Sequence, residues 1–121
     1  MQSSTDTKAA LRQIKIKTGI LRRTFKDYDS YKKEKEALEL KVENLKATEG
    51  TEPGIISRAE SELAETSTVL IKTTTRIETA CEELRDMMSM FDGSSEVTQG
   101  EDWVAAVALV QQVDEFTASF A

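Results

Sequence analysis

The amino-acid sequence predicts an all-α fold: an elongated three-helix bundle with two long antiparallel helices, a shorter third helix and left-handed coiled-coil packing. Its 121 residues are 31% charged and only 6% aromatic, with one proline and five glycines, a composition typical of a helical, water-facing protein. Two glycine-containing stretches, 48–54 and 92–100, separate three segments in which Gly19 is the only glycine. The length suits one domain, so we expect residues 1–121 to form a single three-helix domain.

The first helix is predicted over about residues 6–48. Apolar or small residues recur there at spacings of three and four, the period of one face of an α-helix. The step from Tyr28 to Tyr31 interrupts the alternation and predicts a local overwinding of the seam. The seam residues are Leu11, Ile14, Thr18, Leu21, Phe25 and Tyr28, followed by Tyr31, Lys35, Leu38, Val42 and Leu45.

The second helix is predicted over about residues 54–91, where a strict heptad repeat indicates antiparallel pairing with the first helix. Its threonine-rich middle favours a strand by propensity, but a cost of at most about 0.7 kcal/mol per residue does not outweigh five heptads of register. The heptad residues are Ile56, Leu63, Leu70, Ile77, Leu84 and Phe91, with Ala59, Thr66, Thr73, Ala80 and Met87 three positions after them.

The third helix is predicted over about residues 100–119, with Thr98 and Glu101 as a capping box at its start. Its apolar residues cover about half of the helix circumference, which suits a short helix in the groove between two longer ones. The expected core residues are Trp103, Ala106, Val107, Leu109, Val110, Val113, Phe116 and Phe120. Up-down-up topology places this helix beside the basic start of the first.

Composition excludes several classes of function. The net charge of −6 argues against nucleic acid as a partner, because duplex binding depends on neutralising phosphates. No apolar run approaches the roughly 18 residues that cross a bilayer. The sequence has no histidine, no glycine-rich phosphate loop and no zinc spacing, so we expect neither an enzyme nor a bound cofactor or metal.

Cysteine usage and the start of the chain predict a cytoplasmic location. The single cysteine, Cys81, closes no internal disulfide, and its place beside the heptad seam favours a small buried apolar residue over a nucleophile. The first seven residues are polar and lack the apolar stretch of a secretory signal peptide.

A specific resemblance lies in the first helix. The stretch 12–19 reads RQIKIKTG and is followed by Ile20-Leu21-Arg22-Arg23 and a continuation rich in Tyr, Lys and Glu to Leu45. Together with Glu101-Asp102-Trp103 at the start of the third helix, it resembles the tubulin-binding cofactor A family. A proline that some members carry midway along the second helix is absent, since Ile71 and Lys72 stand at the comparable place, so at most a soft bend is expected there.

The resemblance implies a non-enzymatic three-helix chaperone. Proteins of this family bind β-tubulin downstream of the cytosolic chaperonin and hold it until it passes to other tubulin-folding cofactors and joins α-tubulin. The implied setting is therefore the cytoplasm, in association with the cytoskeleton and microtubules. A structural coiled-coil adaptor or oligomerisation module that binds another helix is the alternative, and the sequence is compatible with either a monomer or a homodimer.

A candidate partner-binding site lies on the outer side of the first helix. A step of about 100° per residue turns Ile16 and Ile20 away from the buried seam. Two exposed isoleucines inside a basic rim form the kind of surface that binds a protein partner. The predicted β-tubulin contacts are Arg12, Lys15, Ile16, Lys17, Ile20 and Arg23. The alternatives are that the N-terminal tail or the third helix covers the isoleucines, and that the bases pair with the segment 86–121, which has seven acids and no Lys or Arg.

Overall fold

The computed structural model describes residues 4–120, and this part of the chain is helical without a strand. The all-α prediction is confirmed, but the prediction of three helices omits one element. Within the linker 92–100 the chain forms an additional single helical turn, while left-handed coiled-coil packing stays a prediction. The helices are α1 Ser4–Ala47, α2 Pro53–Ser89, α3 Ser95–Thr98 and α4 Glu101–Ala118.

The turn between α1 and α2 depends on one glycine and one proline. Gly50 has a φ of +85°, a left-handed conformation in which a side chain meets the backbone. Pro53 is the first residue of α2. At this position the fixed φ of proline suits a helix, and the N–H that proline lacks would have no partner within the helix. The sequence therefore ends one helix and begins the next within five residues.

The capping box predicted from Thr98 and Glu101 is wrong. Thr98 is the last residue of α3, and the residue that precedes α4 is Gly100, which makes no side-chain capping bond. The reason is tertiary packing, since Val97 is buried in the core and draws the linker inward. Gly100 then lies against the first helix, because a Cβ on it would stand 3.1 Å from the Cδ2 atom of Leu11.

The chain divides into two compact units. Unit 1 comprises the described residues up to Phe25 and from Arg76 onward, whereas unit 2 comprises Lys26–Thr75. All four helices contribute to unit 1, whose most deeply buried large side chains come from each of them. They are Ile14 and Leu21 of α1, Ile77 and Leu84 of α2, Val97 of α3 and Val113 of α4.

In unit 1, α4 runs beside the first part of α1 in the same direction. Gly100, the residue before α4, adjoins Leu11, and near the end of α4 the ring of Phe116 lies 5.1 Å from that of Phe25. The other side of α4 meets α2, where Arg85 donates a hydrogen bond to Asp114. The third predicted helix, α4, thus lies against both α1 and α2, as the up-down-up prediction requires.

Unit 2 consists of the second part of α1 and the first part of α2 with the turn between them. Ion pairs between the two helices show that they are antiparallel: Lys41 pairs with Glu62 at 4.0 Å and Lys46 with Glu60 at 3.6 Å. Burial is less complete here than in unit 1. Val42, Ala59, Thr66 and Thr73 are buried, but Leu38, Leu45, Leu63 and Leu70 are only half-buried.

Two residues assigned to the core of the third helix lie at the surface. Val107 is 44% exposed, and Phe120 is 58% exposed and follows the last residue of α4. The buried side of α4 is narrower than half the circumference and is formed by Ala106, Leu109 and Val113. Val107 lies about 100° around the helix from Ala106, at the edge of the apolar arc, and is therefore partly in water.

Candidate functional site

The candidate site lies on the side of α1 that faces away from the core of unit 1. Ile14, Thr18 and Leu21 are buried, and their spacing directs them to one side of the helix. Ile16 and Ile20, one turn apart, are 47% and 40% exposed. The predicted outward direction of both isoleucines is confirmed, and within the described residues no other segment covers them completely.

Two arginines share this side of the helix. At about 100° per residue, Arg12 and Arg23 lie within about 60° of the direction midway between the two isoleucines. Both are exposed. The Nη1 atom of Arg23 lies 3.9 Å from the place that a Cβ on Gly19 would take, so the guanidinium lies over helix backbone that carries no side chain. We call Arg12, Ile16, Ile20 and Arg23 the outer face of α1.

The two lysines of the predicted site do not lie on the outer face. Lys17 is turned toward α2, where its Nζ atom stands 3.8 Å from Glu83, and its side chain is only 28% exposed. Lys15 is exposed and lies about 100° around the helix from Ile16 in the other direction. The step of about 100° per residue therefore places the two lysines on opposite sides of the isoleucines, outside the outer face.

Most of the basic residues near the outer face keep their charge available. Among the residues that the structure describes, Arg12, Lys15 and Arg23 have no acidic group within the 4.0 Å of an ion pair. The acidic segment 86–121 reaches α1 through a hydrogen bond that Thr7 donates to Glu96 at 2.9 Å. The arrangement presents an apolar pair, flanked by unneutralised cations, on a helical surface.

The described residues offer no constellation for metal chemistry. Over the described part of the chain, no three or more His, Cys, Asp or Glu side chains are placed to hold one ion. Among the same residues, none of the helices combines the length and the apolar character that crossing a membrane requires.

Comparison with protein families identifies the chain. The model of the family "Tubulin binding cofactor A" matches residues 9–110, a span that holds the outer face of α1 and the first part of α4. The chain belongs to the tubulin binding cofactor A family. The resemblance noted in the sequence of the first helix is thereby confirmed.

Relatives of this family and their solved structures match this chain over most of its length. Tubulin-specific chaperone A of Oryctolagus cuniculus is 30% identical over 103 residues, which cover 85% of this chain and 92% of the rabbit protein. The same protein of Gallus gallus is 32% identical over equal shares. The crystal structure of tubulin folding cofactor A from Arabidopsis thaliana superimposes with a TM-score of 0.79 at 26% identity, covering 88% of this chain and 97% of that chain.

The human tubulin chaperone cofactor A shares the same fold. It superimposes with a TM-score of 0.70 at 28% identity and covers 87% of this chain and 98% of the human chain. The helical arrangement described above is therefore that of cofactor A structures.

Proposed function

We propose that this chain is a tubulin-folding cofactor that binds β-tubulin after its release from the cytosolic chaperonin and holds it for assembly with α-tubulin. The observation that supports the proposal is membership of the tubulin binding cofactor A family over residues 9–110, together with relatives that are named tubulin-specific chaperone A. The proposed setting is the cytoplasm beside the cytoskeleton, and other tubulin-folding cofactors are the proposed next partners of the bound subunit.

The proposed contact surface is the outer face of α1. Ile16 and Ile20 supply apolar area that a partner removes from water, a gain of about 25 cal/mol for each Å² buried. Arg12 and Arg23 supply charge at the rim, where bases accelerate association with an acidic partner and set its orientation. A tubulin surface of negative potential would complement the positive charge of these two arginines.

The two lysines have secondary roles in this proposal. Lys15 lies beside the outer face and adds to its positive potential, which acts over about 8–10 Å at physiological ionic strength. Lys17 is paired with Glu83, so part of its charge is already neutralised. We therefore expect replacement of Lys17 to weaken tubulin binding less than replacement of Arg12 or Arg23.

The test of the function is co-migration in size-exclusion chromatography. The purified chain is mixed with β-tubulin released from chaperonin, and in parallel with intact αβ-tubulin heterodimer. A complex with β-tubulin and none with the heterodimer is the expected result. Failure to form a complex at concentrations of tens of micromolar, which corresponds to a binding free energy weaker than about −6 kcal/mol, would contradict the proposal and favour the adaptor function.

The test of the site is the double substitution Ile16→Ser and Ile20→Ser. Both side chains are partly exposed, so the helical content measured by circular dichroism should stay unchanged. Binding of β-tubulin should weaken by about tenfold, equivalent to about 1.4 kcal/mol of lost apolar contact. The affinity is measured by titration of labelled β-tubulin.

A matched control uses two other exposed isoleucines. Ile55 and Ile71 of α2 are 50% and 68% exposed, and the double change to serine removes the same chemical groups from a different helix. We expect this control to bind β-tubulin within about twofold of the unsubstituted chain. Equal affinity of all three proteins would place the contact outside the outer face of α1.

A further inference from the structure

The groove between α2 and α4 in unit 1 has the features of a second docking surface. A cavity of about 310 Å³ opens there, and its apolar lining is Met88 of α2 with Val107 and Val110 of α4. We propose that this groove binds a basic amphipathic helix of a partner protein. This inference goes beyond the proposed function, because it concerns a different surface and requires no tubulin.

Part of the apolar surface of the groove lies outside the core, although Met88 and Val110 are half-buried. α4 buries Ala106, Leu109 and Val113 on its inner side, whereas Val107 is 44% exposed at the groove and Val104, one turn earlier, is 61% exposed. A β-branched residue on an exposed helical position is also less favourable for the helix than alanine. Val107 and Val104 therefore keep a large part of their apolar surface available to a partner.

The polar surroundings of the groove are acidic. A second cavity, of about 270 Å³, adjoins the first along the same two helices, and Glu78 and Glu82 lie on its rim. The two cavities share Arg85 and Asp114, which are bonded to each other across the groove. The base nearest to the groove is thus already neutralised by an acid of α4.

The charge of the two helices around the groove is strongly one-sided. From residue 86 to the end, the sequence contains seven acids and no Lys or Arg. On α2, Glu78, Glu82 and Asp86 follow at intervals of four residues and are all exposed, an arrangement in which like charges repel. A ligand with Lys or Arg beside its apolar residues would relieve this repulsion, whereas an acidic ligand would increase it.

The shape of the groove favours a helix over a small molecule. Each cavity lies at or below the lower end of the range of about 300–1,000 Å³ that is usual for small-molecule pockets. Each is small and has room for only one or two side chains. Two such cavities along one seam, one with an apolar lining and one with Glu78 and Glu82 on its rim, suit an amphipathic helix that carries Lys or Arg beside its apolar residues. The outer face of α1 in a second copy of the chain has related chemistry, so self-association is the competing occupant.

The experiment uses the full chain and a designed probe. The probe is a fluorescein-labelled helical peptide with leucines at positions i, i+4 and i+7 and lysines beside them. A second peptide carries glutamate in place of each lysine. We expect saturable binding of the lysine peptide by fluorescence anisotropy, weakening as salt is added, and affinity lower by at least about tenfold for the glutamate peptide. Equal binding of the two peptides would overturn the proposal.

Substitution at the groove locates the bound peptide. Val107→Ser should lower the affinity by about fivefold with unchanged helicity, because the side chain is partly exposed in the free protein. Ile71→Ser, which removes an exposed β-branched residue from unit 2, is the control and should leave the affinity within about twofold. Equal affinity of the Val107→Ser protein and the unsubstituted chain would also overturn the proposal.

Sedimentation of the chain alone tests the competing occupant. A monomer is the expected result at the concentrations of the titration. A dimer that Val107→Ser dissociates would assign the groove to a second copy and overturn the proposal. None of these outcomes bears on tubulin capture, which is measured with a different ligand and tested by substitutions at Ile16 and Ile20 of α1.

Discussion

The hydroxyls of Thr18 and Thr73, two threonines of the buried seam, are bonded to the backbone of their own helix. The Oγ1 atom of Thr18 donates to the carbonyl of Ile14 at 2.6 Å, and that of Thr73 to the carbonyl of Val69 at 2.8 Å. Over the described side chains, no buried polar atom lacks a partner. A threonine bonded in this way presents its methyl group to the core, which explains how a heptad position of α2 accepts a residue with low helix propensity.

At the same scale, Gly50 is the residue whose backbone conformation is most restrictive. We predict that Gly50→Ala lowers the free energy of unfolding by about 1–2 kcal/mol, because a Cβ at a φ of +85° clashes with the backbone. Nothing lies within 4 Å of the added atom, so the cost comes from the backbone alone. Urea denaturation followed by circular dichroism measures it.

Gly54 provides the control for this prediction. It lies in the first turn of α2 with open space around it and an ordinary φ, so Gly54→Ala should be neutral or stabilising by up to about 1 kcal/mol. Equal effects of the two substitutions would show that the turn does not require the left-handed conformation.

At the scale of the element, α2 is buried unevenly although its heptad repeat is regular. Ile77 and Leu84 are fully buried in unit 1, whereas Leu63 and Leu70 of unit 2 are half-buried at equivalent heptad positions. The difference follows from the number of helices: unit 1 contains α4 in addition to α1 and α2, and unit 2 has no part of α4. A heptad repeat specifies the direction of a side chain, and the neighbours specify how much water it loses.

This unevenness predicts different costs for two chemically similar truncations. Ile77→Ala should lower the free energy of unfolding by about 2–5 kcal/mol, the range for a fully buried aliphatic side chain. Leu70→Ala should cost about 1–2 kcal/mol, since part of its side chain stays in water in the folded state. Denaturant titrations of both proteins provide the comparison. A cost for Leu70→Ala equal to that for Ile77→Ala would contradict the half-buried environment.

At the scale of the whole molecule, α4 is attached to α1 mainly through aromatic and aliphatic packing. The rings of Phe25 and Phe116 meet edge to face at 5.1 Å, and Phe116 makes a second such contact with Phe120 at 4.8 Å. On the other side, the Arg85 and Asp114 side chains are about half exposed, and an exposed ion pair contributes about 0–1 kcal/mol. The aromatic contact is therefore the stronger attachment of the end of α4.

A double-mutant cycle on Phe25 and Phe116 tests this attachment. We predict a coupling energy of about 0.5–1.5 kcal/mol between Phe25→Leu and Phe116→Leu, as expected for an edge-to-face aromatic pair beyond its buried area. The corresponding cycle on Arg85→Met and Asp114→Asn should give less than about 1 kcal/mol. A larger coupling for the ion pair than for the aromatic pair would reverse the assignment.

Much of the fold and part of the candidate site follow from the sequence. Seam periodicity predicts the burial of Ile14 and Leu21 and the exposure of Ile16 and Ile20, because these directions depend only on the local twist of one helix. The family follows from the RQIKIKTG stretch. The contacts with β-tubulin, the single domain over residues 1–121 and the oligomeric state stay predictions.

The remaining features depend on what packs beside each helix. Val97 turns the linker into a helical turn, Gly100 replaces the predicted cap beside Leu11, Lys17 turns to Glu83, and Val107 is left at a groove. The sequence by itself determined the class of fold, the family and the sides of each long helix, since these are set by local periodicity and local motifs. Only the tertiary structure decided the cap, the ion pair and the groove, because each arises from a neighbour distant in the chain.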